Sequence, residues 1–400
     1  MNHVVIIGGG YGGVATMRRL AKDKNIQITL IDKNPYHFLQ TEGYELVAGI
    51  TPFDKTVVNL QTLCSSYGTG VIFLQNKVIG IDFENKIVSC KEEKSLNYDF
   101  LVIAAGSRTR FFTSIDGLRA CSHGVKNLQG AFKMKQFFEK ELFLRLESPK
   151  ETPVHYSVVI GGAGLSGVEI AAEMQYYFNR YYHSNTMACN LLSIHLISGS
   201  PTILKGMNPS IAEKASKRLE SLGVQLHCGK HIEKVETNRA YLEGGESIAF
   251  DFMIFTGGIV ATQIVENMEI EHNHLGQIVV DAYLRIPNKE GVFAIGDAAQ
   301  TQDKNGNILP DTAQIAIKSG HFVSHSIKRI INNKTPHINR IKIRGVAIAL
   351  GGSYAILDIG FIRIYGSLGH YVKKIVERLY KYPLWLRCRY GFKKIKSCQI

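Results

Sequence analysis

Val4-Val5-Ile6-Ile7-Gly8-Gly9-Gly10-Tyr11-Gly12-Gly13 reads as a buried strand running directly into G-x-G-x-x-G and then a helix. Gly8 permits the tight turn, Gly10 lets the backbone approach a pyrophosphate, and Gly13 lets helix and strand pack closely. The helix N-terminus adds unpaired N–H donors. The next strand, Gln27 to Ile31, ends at Asp32. A carboxylate about twenty residues past the glycines is where an adenosine ribose diol is hydrogen-bonded. A glycine turn alone says little, but strand, glycines, helix, strand and acid in this order predict a bound dinucleotide.

The pattern recurs. Ser157-Val158-Val159-Ile160-Gly161-Gly162-Ala163-Gly164-Leu165-Ser166-Gly167-Val168-Glu169 is a second strand and glycine turn, with a helix expected from Val168 to Phe178. Two such units imply two dinucleotides. The following strand, Ser193 to Ile197, ends at Ser198-Gly199-Ser200, with no carboxylate. A serine can bond a ribose hydroxyl, but it excludes a 2′-phosphate less effectively than an acid does.

Two further buried strands match each other: Phe100 to Gly106, ending at Ala104-Ala105-Gly106, and Phe250 to Gly258, ending at Thr256-Gly257-Gly258. Gly291 to Ile295 delivers Gly296 and Asp297, an acid placed for a cofactor's sugar-chain hydroxyl or for a helix N-cap. A helix starts at Asp311 or Thr312 and runs to about Ile331; aimed at a flavin ring, its dipole stabilises negative charge there. A β-meander is expected between Val71 and Leu96, a helix from Leu128 to Leu146, a linker from Ser148 to Pro153, and a helix from Ile211 to Leu222.

At 400 residues and 44.5 kDa the chain suits two or three domains. The first strand begins too early to leave room for a signal peptide, so an intracellular protein is expected. Cys64, Cys90, Cys121, Cys189, Cys228, Cys388 and Cys398 have no C-x-x-C spacing, which predicts reduced structural thiols and no metal site. The net charge of +13 is concentrated at the end of the chain: Lys373, Lys374, Arg378, Lys381, Arg387, Arg389, Lys393, Lys394 and Lys396 stand against Glu377 alone. Interleaved with Tyr371, Ile375, Leu379, Leu384 and Trp385, they describe a helix lying on an anionic lipid surface over residues 371–400. Exposed aliphatic groups would gain a nucleic-acid arm little, so no nucleic acid is expected. Ile341 to Tyr365 is apolar but broken by Asp358, Arg363 and glycines, and reads as short strands rather than a membrane span.

With both glycine units, the two small-residue turns, Gly296-Asp297 and the basic tail in hand, the chain resembles the two-dinucleotide-binding flavoproteins. Within them it is most similar to the type II, non-proton-pumping NADH:quinone oxidoreductases. The most specific matches are Gly162 to Glu169 and Ala313-Gln314-Ile315-Ala316, most of the family's A-Q-x-A-x-Q signature. The resemblance implies an α/β fold of two Rossmann-like dinucleotide-binding domains with a C-terminal amphipathic membrane-attachment region. It divides the chain into an FAD domain at 1–113 and 282–335, an NAD(P)H domain at 114–281, and a β-hairpin with a basic amphipathic anchor at 336–400.

FAD would be held by Gly8, Gly10, Tyr11, Gly12, Gly13, Asp32, Lys33, Ala105, Gly106, Gly296, Asp297, Ala313 and Gln314. Gly162, Gly164, Gly167, Glu169, Ser198 and Gly257 would hold NADH, with NADPH left open. Glu169, Gln314 and Lys318 would be the catalytic residues, the partner a membrane quinone, the location the cytoplasmic face of the cell membrane, and a homodimer is allowed. The chain departs from the family in three places: Lys318 replaces its second signature glutamine, Thr41-Glu42-Gly43 replaces Pro-Leu-Leu, and Ser198 replaces an acid. Two alternatives remain at this stage. One is a sulfide:quinone oxidoreductase, which needs cysteines beside the flavin; the other is a redox-responsive flavoprotein that binds nucleic acid through its tail.

Overall fold

A computed structural model describes residues 1–147, 155–182 and 192–398. The linker expected at Ser148 to Pro153, and Cys189, lie outside the described residues. Strand β1 (Asn2–Ile7) leads to helix α1 (Tyr11–Leu20), then β2 (Ile26–Asp32), the short helices α2 (Gly43–Val47) and α3 (Leu60–Ser65), β3 (Val71–Gln75) and β4 (Phe100–Ile103). Val71 to Gln75 joins this parallel sheet beside β2, so the antiparallel meander is confined to Val78–Asp82, Ile87–Cys90 and Ser95–Asn97.

The second unit repeats the order: β5 (His123–Gly124), α4 (Leu128–Glu147), β6 (Tyr156–Gly161), α5 (Leu165–Tyr182), β7 (Leu192–Ser198), α6 (Pro209–Leu222), β8 (Gln225–Cys228) and β9 (Phe252–Phe255). Helix α5 begins three residues before the expected Val168, at the end of the glycine turn itself. The chain returns to the first unit for β10 (Val292–Ala294) and α7 (Ala313–Ile331). It closes with β11 (Val346–Ala349), β12 (Ala355–Asp358), β13 (Arg363–Gly366) and the long helix α8 (Ser367–Cys398). The three last strands form one antiparallel sheet, not a hairpin.

The first sheet runs β10-β4-β1-β2-β3 and the second β5-β9-β6-β7-β8. In each, the chain winds outward from the central strand to one edge and then returns to pair on its other side, the second sheet's edge strand β5 having come first. A crevice therefore opens at the carboxyl ends of β1 and β4, and of β6 and β9, which is where such sheets take ligands. Both central strands are apolar almost throughout because both their faces are covered. One face of β1 packs Val4 and Ile6 against Val14 and Met17 of α1 and Val323 and Ile327 of α7. The other packs Val5 and Ile7 against Val78, Val88, Ala261, Val265 and Ile278. Residues from 261 therefore already belong to the first unit's core, and its return begins earlier than position 282. An antiparallel pair, Ser107–Thr109 with Ile259–Ala261, straps the two units together.

Helix α8 lies along α3 and the C-terminal sheet. Leu384 is fully buried in the cluster that holds Leu60, Leu63 and Cys64, with Tyr380, Trp385 and Cys388 packed beside it. Its outer face carries Leu368, Tyr371, Ile375, Leu379, Tyr382, Leu386 and Tyr390, each more than half exposed. Spaced three or four residues apart, they form a continuous apolar stripe.

Candidate active site

In the first crevice the glycine turn is held by its backbone. The Gly8 N–H donates to Ile31 O at 2.7 Å, and the Gly9 N–H donates to Asp32 Oδ2 at 2.7 Å. Gly8 has φ +106°, and a Cβ there would lie 2.2 Å from Ala104 O, so β1 and β4 meet at this point only because the side chain is absent. A Cβ on Gly10 or Gly106 would meet nothing within 4 Å. The turn is thus packed behind and open in front, the shape a pyrophosphate needs. Asp32 also accepts from the Asn34 N–H at 2.8 Å. Burial pushes its carboxyl up, and the Asn34 and Gly9 amides pull against that shift.

Asp297 lies within the short helix after β10 and does not act as its N-cap. Instead it accepts from Ser107 Oγ at 2.7 Å and from Lys126 Nζ at 2.6 Å. Burial raises its carboxyl, but Lys126 and Ser107 outweigh this and hold it below the usual range. Asp311 nearby is pushed up to about 6, first by burial and then by the Asp297 charge. Gln277 donates to Asp311 Oδ1 at 2.8 Å and to Asp297 O at 3.2 Å. Helix α7 starts here, capped by Thr312, whose hydroxyl accepts from the Ile315 N–H. Gly320 of α7 fits against Gly12 of α1, where a Cβ would sit 2.5 Å from Gly12 O. The two helices run so close that both N-termini open on one crevice, a site for an anionic cofactor. The donors, the open cradle and the acid at the end of β2 fit an FAD. Tyr11 bonds Thr41 at 2.8 Å and packs on His37 and Tyr380, while Lys33 is exposed.

The second crevice repeats the first. The Gly162 N–H donates to Ile197 O at 2.9 Å, and Thr256 Oγ1 donates to Gly162 O at 2.7 Å. Space over Gly164 is open, while Gly257 is backed by the Phe255 ring. Ser198 Oγ accepts from the Ser200 N–H and donates to Thr202 O, both at 3.2 Å.

Strand β11 connects the sequence-predicted catalytic residues. Before its start, Gln314 Oε1 accepts from the Arg344 N–H at 2.7 Å and from Lys318 Nζ at 3.0 Å. At its end the Ala349 N–H donates to Glu169 Oε1 at 3.0 Å. Gln314 and Lys318 are therefore in contact, whereas Glu169 meets the chain five residues further on, at Ala349. Lys318 also donates to Lys342 O, so its ammonium is tied to the backbone. Burial pushes it down, with Arg344 and Lys342 adding to the shift.

Glu169 belongs to a buried ionic network that the sequence did not suggest. Lys373 Nζ reaches Glu377 at 2.7 Å, Glu169 at 3.5 Å and the Tyr44 hydroxyl. Lys374 pairs with Glu45 and Glu377, and Lys381 with Glu42. Glu173 is pushed up to about 7, chiefly by burial, against the pull of the Gly352 N–H. Lys373, Lys374 and Lys381, expected to face lipid, turn inward because these carboxylates offer closer partners. Among the residues missed, Lys126 carried no motif. The i,i+4 pair Lys373–Glu377 was visible, but as a solvent-facing pair.

The pyridine nucleotide-disulphide oxidoreductase family model matches residues 2–320. A demethylphylloquinone reductase of Synechocystis sp. is 27% identical over 396 residues, covering 96% of this chain and 92% of that protein. A type II NADH:quinone oxidoreductase of Staphylococcus haemolyticus is 25% identical, with 94% of each chain covered. Among solved structures, NDH2 of Plasmodium falciparum in complex with NADH has a TM-score of 0.85 at 18% identity, covering 99% of this chain and 98% of that one. The sulfide:quinone oxidoreductase of Aquifex aeolicus has a TM-score of 0.79 at 20% identity, covering 98% and 92%. Both structures agree with this chain in fold.

Proposed function

The chain belongs to the pyridine nucleotide-disulphide oxidoreductase family, and from that premise we propose that it is a type II NADH:quinone oxidoreductase. FAD occupies the first crevice, NADH the second, and a membrane quinone is the acceptor. The observation that carries this reading is the pair of matching cradles, both open in front, joined by a strand with Gln314 at one end and Glu169 at the other.

FAD, when bound, supplies the group that accepts two electrons from one substrate and passes them to the other. The protein's part is placement and electrostatics. Gly10 and the α1 N-terminus would hold the pyrophosphate over the turn that Gly8 and Gly13 pack closely, Asp32 would hold a ribose diol, and Asp297 a sugar-chain hydroxyl. The α7 N-terminus would place positive potential where reduction adds negative charge, and Lys126 keeps Asp297 ionised beside it. Gln314 is oriented by Lys318 and the Arg344 amide at the acceptor side. Glu169 lies at the other end of β11, where burial raises its carboxyl and Lys373 and the Ala349 N–H pull against that shift.

The sulfide reading finds little support. Of the five described free thiols, none lies in the glycine turns or in the Gln314 to Lys318 segment. Burial pushes Cys64 up to about 12 and Cys388 to about 11, which leaves them poor thiolates. Anaerobic mixing with NADH, and separately with sulfide, tests the choice. NADH is expected to bleach the flavin and a quinone to restore its colour; bleaching by sulfide alone would reverse the assignment.

In this reading membrane attachment is peripheral and the reaction pumps no protons. No described helix is long and apolar enough to cross a membrane. The stripe of α8 offers Leu379 and Leu386 to a bilayer, with Arg378, Arg387 and Arg389 exposed beside it for anionic headgroups. Leu379→Glu combined with Leu386→Glu is expected to release the protein from anionic vesicles while NADH still bleaches the flavin. Undiminished co-sedimentation would overturn the stripe as the lipid-facing surface.

A further inference from the structure

The two glycine units correspond at the end of their second strands, although the Gly9 N–H bond to Asp32 Oδ2 in the first is replaced at Ser198 by donation to Thr202 O. Gly8 to Ile31 in the first is Gly162 to Ile197 in the second, and Asn34 N–H to Asp32 Oδ1 is Ser200 N–H to Ser198 Oγ. Ser198 therefore stands where the first unit carries its ribose carboxylate, and its side chain is tethered by the same backbone turn. The difference is charge: a carboxylate at this point repels a 2′-phosphate, and a hydroxyl does not.

The surroundings favour an anion. The Lys230 N–H donates to Ser198 O at 3.0 Å and the Gly229 N–H to Ser200 O at 2.9 Å, which lays the 229–231 loop directly against Ser198 to Ser200. His231 lies over Gly199, where a Cβ would be 2.4 Å from its Cε1. Because residue 199 has no side chain, the imidazole covers the strand end while its outer face stays exposed. Lys230 Nζ is 3.3 Å from Glu246, in a pair open enough to solvent that exchanging the carboxylate for a phosphate costs little. Ser198 is buried at the strand end with its hydroxyl proton given to Thr202 O, while half-buried Ser200 and exposed His231 form the surface above it.

We propose that the second unit takes NADPH as a donor in its own right, its 2′-phosphate lying against Ser198, Ser200 and His231 with Lys230 beside them. The inference rests on the second crevice being the nicotinamide donor site. NADPH gives up a hydride and leaves as NADP⁺, and the two electrons continue to the quinone as they do from NADH, so no other reactant is required.

Two measurements on the FAD-loaded protein test it. By calorimetry, 2′,5′-ADP is expected to bind at least about tenfold more tightly than 5′-ADP, a readout independent of turnover. In steady-state quinone reduction, kcat/KM for NADPH is expected to lie within about tenfold of that for NADH. Ser198→Asp should lower the NADPH/NADH ratio about 100-fold through like-charge repulsion, and His231→Ala about tenfold. Equal binding of the two ADP probes, or a ratio unmoved by both substitutions, would overturn the proposal. If NADH alone reduces the flavin, only this inference falls; if neither dinucleotide does, the donor-site reading falls with it.

Discussion

Gly13→Ala is expected to destabilise the first dinucleotide unit by about 3 kcal/mol, whereas Gly10→Ala is expected to leave it folded but depleted of flavin. The contrast follows from the space at each position. A Cβ on Gly13 would fall 1.8 Å from Gly8 O, and Gly8 cannot yield because its own Cα already abuts Ala104. Nor can α1 withdraw freely. Its flank is fitted to α7 at Gly12 and Gly320, and Thr16 Oγ1 donates to Gly320 O at 3.3 Å. Gly10 faces open space in the folded protein, so a methyl there meets only what binds in the crevice. Melting temperature and visible absorbance of the purified variants separate the two effects. A Gly13→Ala protein that melts with the wild type would refute the packing argument, and a Gly10→Ala protein with full flavin would show that the cradle faces elsewhere.

Both glycine turns, the strands feeding them and the helix cap at Thr312 were legible because each depends on neighbours within a few residues. So was Ser198, since a strand end is visible in an apolar run and the residue closing it can be read directly. The place of Asp297 after a buried strand was legible, yet its partner Lys126 was not, because 171 positions separate the two in the chain. The inward turn of α8 was hidden for the same reason. A helix mixing aromatic, aliphatic and basic residues looks alike whether its lysines meet lipid phosphates or buried carboxylates. Glu42 and Glu45 lie more than 300 residues away from the lysines they bind. The apolar half of the α8 expectation stands on the exposed stripe, while the basic half is divided between that face and the interior.

That division makes Lys373 the residue on which the docking of α8 depends. Five carboxylates, Glu42, Glu45, Glu169, Glu173 and Glu377, surround the ammonium groups of Lys373, Lys374 and Lys381 in one covered region. Lys373→Met removes a cation that touches Glu377, Glu169 and Tyr44, and it leaves Glu169 with the Ala349 N–H. Breaking a buried pair by deleting one partner costs about 3–5 kcal/mol.

The sign of the pH dependence then tells an electrostatic role from a packing one. In the wild type Glu377 is held below its ordinary range: burial raises it, and Lys373 and Lys374 outweigh that. Its contribution is full above that range and is lost as pH falls below it, through the lowered value of the folded protein. In Lys373→Met the carboxyl of Glu169, with burial no longer opposed by the ammonium, favours its protonated form, so the variant should regain stability on acidification. The melting-temperature gap between wild type and variant is therefore expected to be widest near about pH 8 and to narrow toward about pH 5. Glu377→Gln added to Lys373→Met should recover part of the loss at the higher pH. A gap that does not change with pH would mean that Lys373 matters for its packing over the Tyr44 ring, 4.5 Å from its centroid, and not for its charge.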